Sequence, residues 1–185
     1  MNAIAQLWMP IVVTAVLIFV ASSLIHMVFK WHNSDYRKFD NEDDVRAVVR
    51  ASTPPGMYVF PHCVDMKDLA GEAMQKKFRE GPIGYVTVRP PGPPTMGKQL
   101  SLWFIYTIAI AAIAGCLTFG AYPMGRGSAH AAGHMAGLIS FLAYVGGSVQ
   151  MGIWMGKPWL SVAKDALDGL IYGIISALVF WWLWP

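Results

Sequence analysis

Charge is what this sequence has least of. Asp, Glu, Lys and Arg make up 14% of its residues, where an ordinary soluble domain carries roughly 25%. The shortage is concentrated in four apolar stretches, 8–29, 101–122, 134–156 and 167–184, each close to the ~20 residues a helix needs to cross a bilayer. That pattern excludes a soluble globular domain. Cysteine is scarce too. Cys63 and Cys116 fall in different parts of the expected topology and do not make a disulfide scaffold; both read as free thiols, Cys116 as a small packing residue. There is no glycine-rich phosphate loop, no GxSxG elbow and no paired carboxylates for intramembrane proton transfer. The chain is therefore expected not to be an enzyme.

What charge there is lies together. Eleven of the 14 Lys and Arg residues fall within 30–98. The expected fold is an all-α transmembrane bundle of four helices with a small α+β insert between helices one and two. Residues 1–29 form helix one, 30–98 the insert with its connector, and 99–185 helices two to four. The positive-inside bias places 30–98, Lys157 and Lys164 in the cytoplasm and both termini outside, leaving Arg126 as the one outer cation. Trp8, Trp181, Trp182 and Trp184 would then share the outer interfacial belt. A cleaved signal peptide is not expected, because the first apolar stretch is long, lacks a preceding basic segment and runs into Lys30-Trp31-His32.

Within the insert, Asp40 or Asn41 can cap a helix over 42–51, and Asp65 a second over 66–79. Residues 57–60 and 83–88 read as strands. Nine acids against eleven bases leave this segment nearly neutral, which argues against nucleic acid as a partner. A core this small is marginal on its own and is expected to lean on other helices or another protein. Arg89-Pro90-Pro91-Gly92-Pro93-Pro94 is a stiff connector, and 157–165 reads as a short interfacial helix.

Candidate chemistry centres on histidine. His130 and His134 stand four apart, on one face at the outer end of helix three, with Met124 nearby; imidazole and thioether together suit copper(I). Otherwise no cofactor is expected. A bis-histidine haem is disfavoured, because His26 lies at the opposite end of the bundle from that pair. His26 itself, beside Ser22 and Ser23, is expected to hydrogen-bond a neighbouring helix or mark an intramembrane polar site. Gln150 is the polar side chain expected deep in helix three. In Phe60-Pro61-His62-Cys63-Val64-Asp65, neighbours on extended backbone point to opposite sides, so His62 does not serve Cys63 as a base. Small residues recur at helical spacing: Gly169, Gly173 and Ala177 on helix four, with Gly146, Gly147, Gly152 and Gly156 on helix three and Gly115 and Gly120 on helix two. Such faces let backbones approach closely, and a surplus of them points to a partner.

Gly156-Lys157-Pro158-Trp159, Asp168-Gly169-Leu170 and the closing Trp181-Trp182-Leu183-Trp184 together resemble the C-terminal end of certain small four-span bacterial membrane proteins of unassigned function. The resemblance implies a bacterial inner-membrane protein and carries over no functional residue; the large insert departs from that compact pattern. The reading that follows is a non-enzymatic accessory or scaffolding subunit of a larger membrane complex, in contact with lipid and with other subunits. The alternatives are a small homo-oligomeric transporter or channel using His26 and Gln150, and a copper-handling protein using His130, His134 and Met124.

Overall fold

The computed structural model describes residues 3–122 and 124–185. In chain order the elements are α1 (Ala3–Leu24), α2 (Glu42–Ser52), β1 (Gly56–Phe60), α3 (Met66–Leu69), α4 (Glu72–Glu80), β2 (Gly84–Val88), α5 (Met96–Ala121), α6 (Ala129–Met155) and α7 (Trp159–Leu183). They form two compact units, Met1–Tyr36 with Thr95–Pro185, and Arg37–Pro94.

In the first unit four helices are long and apolar enough to span a membrane: Ile4–Phe29, Met96–Ala121, Ala129–Met155 and Trp159–Leu183. Each is longer than the apolar run that foretold it, because the polar residues at its ends also wind into helix. The expected interfacial helix over 157–165 is one such extension. Pro158 stands at the N-cap of α7, and from Trp159 onward the helix runs without a break to Leu183; neither Gly nor Pro separates 159–165 from the apolar run, so nothing ends the first turns.

The helices meet through small residues. A Cβ on Gly137 would lie 2.7 Å from Ala177 Cβ and 2.8 Å from the Gly173 carbonyl oxygen, and one on Gly133 would lie 2.6 Å from the Ala177 carbonyl oxygen. Gly169 presses against Val145 in the same way. The Gly169, Gly173 and Ala177 face is thus the seam between α7 and α6 of the same chain. Since lipid tails are as apolar as Leu, close backbone packing of this kind drives helix contact in a membrane better than burial does. On α5, Gly115 packs against Phe180 of α7, fully buried in a cluster with Leu7, Ile11, Ala111, Ala114 and Trp184. Trp184 therefore departs from the expected aromatic belt, whereas Trp8, Trp181 and Trp182 remain exposed. Arg126 donates to the Trp181 and Trp182 carbonyl oxygens at 3.3 and 2.9 Å and so satisfies acceptors that the end of α7 leaves open.

The second unit is a two-stranded antiparallel sheet, with Gly56 opposite Val88 and Phe60 opposite Gly84, accompanied by three helices. Asp65 caps α3 as expected, its carboxylate accepting from the Lys67 N–H at 2.8 Å. The single helix expected over 66–79 is split at Ala70 and Gly71. The Gly71 N–H bonds back to Asp68, and Gly71 itself takes an extended conformation at the N-cap of α4, the helix-breaking tendency of glycine winning over the apolar stripe. Among the described side chains of this unit none is buried.

Candidate functional site

A cluster of polar residues of the first unit lies where the end of α1 meets the start of α7. The last turn of α1 widens into a π-helical turn, Ile25–Phe29, a distortion common beside functional sites. Lys30 then takes the left-handed conformation, φ 54° and ψ 25°, which is costly for a residue with a Cβ. That turn redirects the chain into a short 3-10 segment, Trp31–Asp35, and delivers three side chains to α7.

Two of these side chains, Trp31 and His32, meet one buried carboxylate. Asp168, 6% exposed, accepts from the Trp31 indole N–H at Oδ1 (3.1 Å) and faces His32 Nε2 with Oδ2 (3.0 Å). His32 Nδ1 in turn faces Asp35 Oδ2 at 2.7 Å. Carboxylate oxygens accept only, so holding both contacts requires an N–H on each ring nitrogen. Asp35 is anchored separately: Lys164 Nζ and Ser161 Oγ donate to its Oδ1 at 2.6 and 2.9 Å, and Lys164 also reaches the Trp31 carbonyl oxygen and Ser34 Oγ. The hydrogen bond from Lys164, helped by those from His32 and Ser161 and opposed by burial, holds the Asp35 carboxyl down at about 2. Nearby, Lys157 and Ser148 both donate to Asp165 Oδ2.

His26 stands next to this network without joining it. Its ring lies parallel to His32, centroids 4.9 Å apart and planes 6° apart, and its Nδ1 lies 2.9 Å from the Ser22 carbonyl oxygen. The bond runs back along its own helix rather than to a neighbour as expected. Nδ1 must then be the protonated nitrogen, which leaves Nε2 with a free lone pair. His26, His32 and Asp168 each place one donor atom within 4.8 Å of the others, the one such group of three or more His, Cys, Asp or Glu found among the described residues.

Beside this cluster opens a cavity of about 580 Å³. Met27, Met96, Leu100, Trp103 and Met151 supply apolar walls, and His26, Lys157, Asp165 and Asp168 supply polar groups. Tyr144 and Trp103 belong to its lining, and the Tyr144 hydroxyl and Trp103 indole N–H are buried with no hydrogen-bond partner among the described residues.

No known family model, curated protein or solved structure matches this chain. The reading of the site therefore rests on its chemistry.

Of the residues singled out from sequence, His26 lies at this cavity and Gln150 does not. Gln150 is exposed on α6 and absent from the cavity lining. His130 and His134 do converge, Nε2 to Nε2 at 3.3 Å, and share a smaller cavity with Gly133 and Trp181; Met124 does not line it. Sequence reasoning passed over Asp168, His32 and Asp35. Asp168 lies one residue inside an apolar run and was the available signal, since a carboxylate at such a position is rare without a function or a partner. Trp31, His32 and Asp35, spaced to share one side of a short helical turn, were the second.

Proposed function

We propose that the protein is a four-span protein of a bacterial inner membrane, with the segment 30–98 in the cytoplasm and both termini outside, that binds an amphiphilic small molecule in the Asp168 cavity. The observation that carries this reading is the cavity itself, whose apolar walls meet the polar groups of His26, Lys157, Asp165 and Asp168. The volume falls in the range of small-molecule sites. Apolar walls together with charged groups suit a molecule with a hydrocarbon body and a polar head, which is what a site at the membrane interface meets.

The test is mass spectrometry of protein purified in mild detergent. An amphiphile should co-purify with the native chain and be depleted in Leu100→Trp, which narrows the cavity. Equal retention by both proteins would sink the reading.

A specific observation supports a second reading, an accessory subunit docking through the insert. In that unit Val48, Met57 and Val64 are 69%, 75% and 85% exposed, apolar side chains that a partner's surface would cover. Co-purification of a stoichiometric second protein, released by Met57→Asp and Val64→Asp, would establish it.

A further inference from the structure

We infer that His26, His32 and Asp168 form a binding site for a divalent transition-metal ion, with its open coordination positions toward the cavity. The inference names the chemistry of the cavity discussed above and rests on that cavity being the working site.

Three features carry it. The first is the donor set. Two imidazoles and one carboxylate are the protein ligands of catalytic zinc sites that keep an open position, and of non-haem iron(II) sites. The second is spacing. Two ligands held ~2.0–2.1 Å from a tetrahedral ion lie about 3.3 Å apart, and His32 Nε2 and Asp168 Oδ2 already stand 3.0 Å apart. A hydrogen holds that contact now; an ion would replace it, and a rotation of His26 about its side-chain bonds would complete the set. The third is the orientation of the His32 ring. Metal-bound histidines almost always direct their other nitrogen to a carboxylate or a backbone carbonyl. Here His32 Nδ1 faces Asp35 Oδ2 at 2.7 Å, whereas His26 exchanges its contact with the Ser22 carbonyl oxygen for the ion when it turns. Asp35 is itself fixed by Lys164 and Ser161.

A purely structural knot would need Trp31, His32, Asp35 and Lys164. It has no use for a second imidazole stacked on the first with its Nε2 lone pair unspent. Asp35 pairs with Lys164 and Asp165 with Lys157, whereas Asp168 faces His32, the contact that an ion would replace. The outer pair, His130 and His134, lacks both a carboxylate and a third ligand of this type among the described residues, so the ion belongs to the α1–α7 end.

The full-length protein in detergent would be stripped with chelator and titrated with Co2+ and Zn2+. Bound metal would be counted by elemental analysis and cobalt coordination read from its visible absorption. The expected result is one ion per chain, with absorption bands of a four- or five-coordinate site and cobalt displaced by zinc. Affinity should fall at least tenfold in His26→Gln, which leaves the Trp31–His32–Asp35–Asp168 network intact, and ten- to a hundredfold in Asp35→Asn through loss of ring orientation. His130→Ala with His134→Ala should bind as the native chain does. The inference is overturned if the native chain binds no stoichiometric ion, if His26→Gln binds unchanged, or if only the outer double variant loses metal. The same samples examined for bound amphiphile separate the two ideas: amphiphile without metal refutes the metal site alone, whereas metal without amphiphile upholds it and removes the ligand reading.

Discussion

Lys30 shows how much one residue can decide. Its left-handed backbone directs Trp31, His32 and Asp35 toward α7, and a Cβ in that conformation costs on the order of 1 kcal/mol. Glycine has no such cost there. Lys30→Gly should therefore raise the midpoint of thermal unfolding by about 2–4 °C, followed by tryptophan fluorescence in detergent; an unchanged or lower midpoint would mean that the Lys30 side chain contributes more than its backbone loses. Asp35 makes the complementary case. Its carboxyl is held at about 2 in the folded chain, against an ordinary 3.8. Folding is thus favoured by its ionised form, fully so above about pH 3.8, and the contribution is lost as pH falls toward 2. Asp35→Asn should be less stable at neutral pH and should flatten the stability profile between those values; parallel profiles for variant and native chain would disprove the linkage. Neither residue stood out in the sequence. A positive φ at lysine has no compositional signature, and Asp35 reads there as one more charge in a charged segment.

At the scale of elements the four helices long and apolar enough to span a membrane were legible because hydrocarbon length and apolar content are local properties. So was the small-residue face of α7, though not its partner. The structure sets Gly173 and Ala177 against Gly133 and Gly137 of α6, so that this face is spent within the chain, while Gly120, Gly146 and Gly147 have no atom near a notional Cβ. The contrast can be tested in pairs. Gly137→Leu should collapse the yield of folded monomer, since overpacking typically costs ~1–3 kcal/mol and occasionally more, and here the obstacle is backbone rather than a flexible side chain. Gly146→Leu should leave the yield of monomer unchanged in size-exclusion chromatography. If both variants behave alike, the α6–α7 seam does not depend on close approach. The site was less legible than the helices. His32 and Asp168 are 136 residues apart, and no periodicity connects positions so distant; only the oddity of an acid inside an apolar run pointed there.

For the whole molecule, the end of α1 and the start of α7 share one end of the bundle, while Arg126 meets the end of α7 at the other. This arrangement agrees with an even number of antiparallel spans and lets one experiment fix the sidedness. In intact cells a membrane-impermeant thiol reagent should label a cysteine placed at Gly127 and leave Cys63 unmodified until the membrane is opened. The reverse pattern would invert the topology and place the Asp168 cavity on the outer face.

The long separation between the halves of the Asp168 network has a consequence for synthesis. Trp31, His32 and Asp35 leave the ribosome well before Ser161, Lys164 and Asp168, so for most of translation they have no counterpart. When α7 arrives it brings Asp168, and the residues that hydrogen-bond it are already waiting. Until then the Trp31 indole and the His32 imidazole lack the carboxylate they meet in the fold. The making of α7 thus registers at a segment 136 residues upstream.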